Sequence, residues 1–454
     1  MSLQYIARDV RLILLTIRYS VTSLDTSLDP NVTIAKFKAQ RWTPLKIAFV
    51  ACNILLAVFW VTLIPSAFLK ILIPTAYITA VLLPITSQFF VPASPIFLWL
   101  ITYFTSRVLP VEWRPRISVT LLATLESVLF GANISDILTR FTHPILDIVA
   151  WLPYGVVHFV GPFVVAIFIW LFRQSAALKY WGFAFGYLNL LGVIIQILLP
   201  CAPPWYEIIY GSIPANYGML GSPGGLARID KIFGTRTYTG TFSTSPIIFG
   251  AFPSLHAGCS TMEALFISHF FPKFTIAAWI YVGTLWWATM YLTHHYLIDV
   301  VAGACLAVIV FFLTMPSALK GSGATERSEA FAAARQVMGL TGGSRASKYE
   351  QYDLERRANH SGIRGLSADS NSSRDSMDAG PLPLSSIRSP NADPSSTSGP
   401  GGVASFQAQQ ARSHKHTASI ASLIHANDRV EEGWSPVVSD FATAEKIRGA
   451  GPAR

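Results

Sequence analysis

Between residues 47 and 316 the chain returns repeatedly to apolar runs close to the length that crosses a hydrocarbon core, about 20 residues each. Inside such a core no water satisfies the backbone, so a spanning segment must pair its own N–H and C=O groups, as a helix does. Hydrophobic residues make up 52% of the 454-residue sequence and charged residues 13%, about half the charge of an ordinary soluble domain. These observations exclude a soluble globular enzyme and predict an all-α polytopic transmembrane helix bundle.

Breaks at Pro, Gly and charge place eight candidate spans at 47–67, 69–90, 94–109, 154–172, 180–199, 254–271, 274–292 and 296–315. The second and third are punctuated by Pro74, Pro84 and Pro92, which kink helices or make re-entrant segments, so six to eight crossings are compatible with the pattern. The formal charge of +9 sits mainly outside the apolar runs, as in Arg8, Arg11, Arg18, Lys36, Lys38 and Arg41, which suits anionic lipid surfaces rather than nucleic acid. Placing this arm, the 173–179 turn, the Lys273 turn and the Lys320 flank in the cytoplasm requires an even number of spans, and puts the segments 110–152 and 200–253 in the lumen. Asn133-Ile134-Ser135, in the first of these, is a glycosylation triplet. The N-terminal apolar run is short and broken by Arg18, so no cleavable signal peptide is expected. The four cysteines are scattered and set no disulfide or zinc framework. From Ser317 onward Ser, Gly, Ala, Asn and charge prevail. The expected organisation is a basic cytoplasmic arm (1–46), a transmembrane catalytic domain (47–316) and a disordered cytoplasmic tail (317–454), whose Ser-rich stretches are either phosphorylated or simply solvated.

Two segments carry chemistry: Phe252-Pro-Ser-Leu-His256-Ala-Gly258 and Thr293-His-His295-Tyr-Leu-Ile-Asp299, each at the start of an expected span. A helix N-terminus offers free N–H groups to a phosphate. His295 and Asp299 are four positions apart, on one helix face about a turn from each other. A carboxylate so placed fixes the imidazole tautomer, frees the other ring nitrogen to attack phosphorus and stabilises the imidazolium that forms. His256, entering the membrane from the same side, suits a general acid for the leaving alcohol. The competing reading of the three is polar glue between helices.

Pro-Ser-Leu-His256, followed by His295-x-x-x-Asp299, resembles the second and third motifs of the type-2 phosphatidic acid phosphatase superfamily. Together with Cys201-Ala-Pro-Pro-Trp-Tyr-Glu207 and Gly221-Ser-Pro-Gly-Gly-Leu-Ala-Arg-Ile-Asp230, these motifs resemble the fungal inositol phosphorylceramide synthase catalytic subunit family, the target of aureobasidin A, over about residues 47–316. The resemblance implies transfer of phosphoinositol from phosphatidylinositol to ceramide in the Golgi membrane with release of diacylglycerol. It also implies a covalent phosphohistidine on His295, no metal or other cofactor, and a small membrane-spanning regulatory partner. A lipid phosphate phosphatase with water as acceptor would use the same phosphohistidine, and a catalytically idle lipid-binding scaffold is the alternative outside enzymes. The superfamily's first motif, a Lys and an Arg-Pro six residues apart, is missing before the 254–271 span; Arg107 and Arg114-Pro115 imitate it two spans too early. Arg228 and Lys231, with Ser254 as hydroxyl donor, are therefore the expected phosphate clamp.

His294 points about 100° away from His295 on a helix and is a supporting residue at most. Glu263, seven residues after His256, either orients it, binds the ceramide amide, or makes a helix–helix hydrogen bond. His158 reads as a packed or interfacial residue, and Gly224-Gly225 as a tight turn.

Overall fold

The computed structural model describes residues 3–340, helical nearly throughout, with two isolated backbone bridges and no strand among the described residues. After α1 (Leu3–Thr22) and α2 (Pro30–Ala39), α3 (Pro44–Leu63) opens with a Thr43 cap on the Lys46 N–H and Pro44 in the first turn, where its missing N–H costs nothing. α4 (Ala67–Leu82) and α5 (Pro84–Phe90) meet at a 105° bend, because Pro84 ends the hydrogen-bond ladder and Leu83 before it is extended. α6 (Ser94–Thr105) follows, then α7 (Leu121–Phe130), α8 (Ile134–Thr139) and α9 (Pro144–Trp151). A π-helical turn, Leu152–Val157, joins α9 to α10 (His158–Phe172). α11 (Ser175–Leu198) is followed by the short helices α12 (Pro204–Tyr210), α13 (Leu226–Phe233) and α14 (Thr237–Ser243). The chain then runs through α15 (Leu255–Phe270), α16 (Thr275–Tyr291), α17 (Leu297–Thr314) and α18 (Glu329–Val337).

The protein is a multi-pass membrane protein. Among the described residues α3, the α9–α10 run, α11 and α17 are long and apolar enough to cross a bilayer, and the bent α4–α5 pair makes a fifth such stretch. The expected span 69–90 is thus sharply broken, and the third is a helix of only 12 residues. α15 and α16, with 16 and 17 residues, rise only about 24–26 Å, short of the roughly 30 Å hydrocarbon thickness. The core lies where α11, α15 and α17 pack through Leu188, Phe266 and Phe311. Leu55, Phe68 and Ile71 of α3 and α4 stay exposed, as lipid-facing side chains do.

The basic turns gather at one end of the bundle. Arg173 donates to the Phe270 carbonyl, Gln174 to Gly323 and His269 to Leu319, tying the turns after α10 and α15 to the chain beyond α17. That chain corrects the boundary read from composition: residues 317–340, assigned to an unfolded tail, form two 3₁₀ turns and α18, which packs on α1 and α10, and Leu319 and Ala334 are fully buried. A few small apolar residues suffice because α1 and α10 supply the surface. The remainder, 341–454 with its Ser-rich runs, lies outside the described residues. The glycosylation triplet is also reassigned: the Ser135 hydroxyl is buried against Glu126, and the Asn133 side chain caps α8.

Candidate active site

α15 and α17 begin side by side. The Ser254 N–H donates to the Asp299 carbonyl at 2.9 Å, and the Ser254 hydroxyl caps α15 through the Ala257 N–H. Closeness here depends on Gly303 of α17, where a Cβ would lie 2.0 Å from the Ser254 carbonyl oxygen. This approach sets His256 against His295: His256 Nδ1 lies 3.2 Å from His295 Nε2, and His295 Nδ1 lies 2.7 Å from Asp299 Oδ2. Asp299 is wholly buried and His295 only 6% exposed. Burial pushes His295 down to about 4, so its ring is neutral at neutral pH. Nδ1–H then donates to Asp299, Nε2 holds the lone pair, and that lone pair accepts from His256 Nδ1–H. The expected trio is therefore assembled, with each proton position following from its neighbour.

The turn before α17 is held from several sides. Thr293, a β-branched residue, adopts φ +64°, a conformation costing about 1–3 kcal/mol that needs outside support. Its carbonyl accepts from the Trp205 N–H, and the Leu292 carbonyl accepts from the Gly225 N–H. A Cβ at Gly224 would lie 2.4 Å from the Thr293 hydroxyl, so Gly224-Gly225, read as a tight turn, buttresses the histidine turn by close approach. His294, pushed down to about 3 chiefly by burial, is neutral and donates through Nε2 to the Pro223 carbonyl, with its ring stacked on Phe242. Its role is support of the turn.

Composition and spacing did not disclose four further contacts. The Tyr154 ring stacks on His256 at 4.5 Å and on His294 at 5.4 Å, aimed there by the π-helical turn, a device common at functional sites. His158, read as a packing residue, has its ring 4.6 Å from His256. Buried Glu126 accepts from the Leu297 N–H and from the Ser135 N–H and hydroxyl, and Glu207 accepts from the Tyr296 hydroxyl. One early amide of each helix, Ala257 on α15 and Leu297 on α17, is thus engaged by a protein side chain. An acidic residue inside an apolar run, as Glu126 is, was the available signal.

Of the expected clamp, Ser254 sits at the centre as helix cap. Arg228 pairs with Asp147 through Nε at 2.9 Å and Nη2 at 2.8 Å, and Asp147 also accepts from the Tyr291 hydroxyl. Arg228 faces Gly225 and Leu292, alongside the histidine turn, whereas Lys231 is exposed on the last turn of α13. Glu263 is 2% exposed and makes no hydrogen bond to His256. Arg107 and Arg114 line a cavity of about 150 Å³ with Gln196, Tyr217, Ser245 and residues 246–249. Residues 246–249 lead along the chain to the His256 segment, so this cavity joins the arginine pair to the stretch that enters α15.

Residues 120–313 match the PAP2 superfamily. The chain is 49% identical over 296 residues to an inositol phosphorylceramide synthase of Candida albicans, a match covering 64% of this chain and 63% of that protein. It is 50% identical over 298 residues to the inositol phosphorylceramide synthase catalytic subunit of Saccharomyces cerevisiae, covering 65% of this chain and 74% of that protein. A phosphoinositol dihydroceramide synthase of Bacteroides thetaiotaomicron is 27% identical over 242 residues, or 49% of this chain and 76% of that protein. No solved structure matches the chain. With His256, His295 and Asp299 inside the superfamily match and half of the aligned residues shared with fungal enzymes, the chain belongs to the inositol phosphorylceramide synthase family of the PAP2 superfamily.

Proposed function

We propose that this protein transfers phosphoinositol from phosphatidylinositol to the primary hydroxyl of ceramide through a phosphohistidine on His295. The carrying observation is the Asp299–His295–His256 line, 2.7 Å and 3.2 Å across its two contacts. A substrate phosphate entering between the rings takes the place of the His256 contact. His295 Nε2 attacks phosphorus, the bond to the diacylglycerol oxygen breaks, and His256 gives that oxygen its proton. Asp299 steadies the positive charge on the substituted ring. In the second half the ceramide hydroxyl yields its proton to His256, its oxygen attacks phosphorus, and the P–N bond breaks to restore His295. Burial of the trio favours a lipid alcohol over water as acceptor, because a phosphohistidine in this position is screened from solvent.

Ser254, Arg228 and Lys231 are the proposed phosphate contacts. Arg228 is the best placed, since its side chain is about a third exposed and its guanidinium lies beside the histidine turn. The proposed setting is the Golgi membrane, with the histidines facing the lumen, both termini in the cytoplasm and a small membrane-spanning regulatory subunit alongside. Support for the orientation comes from the basic turns, which cluster at the end of the bundle away from the histidines. The test is to supply purified protein with labelled phosphatidylinositol, with and without ceramide. Label should move to ceramide and diacylglycerol should appear; release of inositol phosphate at the same rate without ceramide would make the protein a phosphatase.

A further inference from the structure

Beneath His256 a strip of polar atoms runs into the bilayer without partners. His158 and Gly161 are three residues apart on α10, one turn along a shared face, while His256 and Glu263 are two turns apart on α15. The two faces meet: the His158 ring lies against His256, and Glu263 Oε2 lies 2.9 Å from where a Gly161 Cβ would stand. A Cβ at 161 would press on the carboxyl group where it now stands. Tyr281 of α16, the helix packed on α15, lies against the cluster that contains Tyr154, the ring stacked on His256. His158 Nδ1, Glu263 Oε1 and the Tyr281 hydroxyl are each buried with no hydrogen-bond partner among the described residues. Buried polar atoms are almost always paired, so a group of unpaired ones leading away from reacting atoms calls for a ligand that pairs them.

We infer that His158, Glu263 and Tyr281 form the subsite that reads the hydrogen-bond donors of the acceptor lipid, and so separate ceramide from diacylglycerol. The inference rests on the transfer reaction proposed above. A carboxyl oxygen without a donor needs an N–H or O–H. A ceramide carries an amide N–H and a second hydroxyl a few bonds below its reacting oxygen; the esters of diacylglycerol only accept. With ceramide bound, the buried oxygen of Glu263 is satisfied. With diacylglycerol it is not, which disfavours return of the phosphoinositol group to the alcohol just released.

The test uses the full chain in detergent micelles, with ceramide and its N-methyl analogue as competing acceptors. The wild type should use the N-methyl compound about 10- to 100-fold less well in kcat/KM. Glu263→Leu should lose most of that discrimination through a raised KM for ceramide, while labelling of His295 from phosphatidylinositol, which needs no acceptor, still proceeds and reports a folded donor site. Glu263→Gln, which keeps an accepting oxygen, should restore the preference. Equal use of both acceptors by the wild type, unchanged discrimination in Glu263→Leu, or parallel loss of His295 labelling and transfer would each overturn the inference. Failure of the wild type to transfer to any ceramide while His295 is labelled would instead refute the reaction itself, and the subsite with it.

Discussion

The most exacting consequence of the geometry concerns Gly303, which has no side chain of its own and acts through the close packing of α15 on α17. Adding one methyl group there places carbon 2.0 Å from the Ser254 carbonyl oxygen, 3.0 Å from its carbon and 3.2 Å from the Gly258 nitrogen. Carbon and oxygen settle at about 3.3 Å, so the starts of α15 and α17 must separate by about 1.3 Å in Gly303→Ala. The atom in the way is backbone on a helix start already hydrogen-bonded to Asp299, so no side-chain rotation relieves it. Opening the 3.2 Å His256–His295 contact by that amount should lower the transfer rate about 100-fold, and overpacking should cost about 1–3 kcal/mol of stability. Gly258→Ala is the graded control, since its Cβ meets Gly303 oxygen at 3.2 Å and a flexible Leu188 methyl at 3.4 Å and should cost only a few-fold in rate. Both variants are compared by steady-state transfer of labelled phosphoinositol and by thermal unfolding in detergent. Wild-type kcat in a stable Gly303→Ala protein would show that this contact does not set the distance between the histidines.

Asp299→Asn should keep the fold but lower kcat by about 10³–10⁴-fold through loss of the His295 tautomer, and acid-labile label on His295 should form correspondingly slowly. His295→Ala should abolish that label altogether, and trapped label elsewhere would reassign the nucleophile. Glu126→Ala removes the acceptor for the Leu297 and Ser135 amides and should lower stability by about 1–3 kcal/mol with kcat falling more than KM changes, whereas Glu126→Gln should recover most of both; the comparison is kinetic and calorimetric. Asp230 is raised by its burial but held below the usual carboxylate range on balance by the Tyr238 and Thr239 amides and the Thr235 and Thr239 hydroxyls. Its contribution is therefore present above the unfolded-state value and disappears as pH falls through the lower folded-state value, so amide exchange in α14 should stay slow from neutral pH to about pH 4 and accelerate only below it.

The sequence made the site legible where chemistry depended on neighbours along the chain. His295 and Asp299 pair because four positions on a helix bring side chains together in any protein, and the apolar runs forced helices because a hydrocarbon core allows little else. His256 was placed with them by counting membrane crossings, a long-range inference that worked because each crossing reverses direction. Counting did not disclose that Arg107 and Arg114 share a cavity with residues 245–249, because distance in the order of spans says nothing about which loops share an end of the bundle. The tail boundary at 317 failed in a similar way, because composition measures whether a segment can bury its own surface and not whether α1 and α10 offer theirs.

Sequence by itself therefore determined the helical membrane class and the pairing of His295 with Asp299, both set by local periodicity and the bilayer's demand for paired backbone, and its motifs carried the family resemblance. Tertiary structure alone decided that Tyr154 covers His256, that Glu126 grips the start of α17 from 171 residues away, and that Arg228 is held by Asp147 across 81 residues. It also decided that Glu263 stands beside the glycine at 161 with an oxygen unpaired. Those contacts come from helices packing at particular distances and rotations, which depend on side-chain volumes summed over the whole bundle. No short stretch of residues carries that sum.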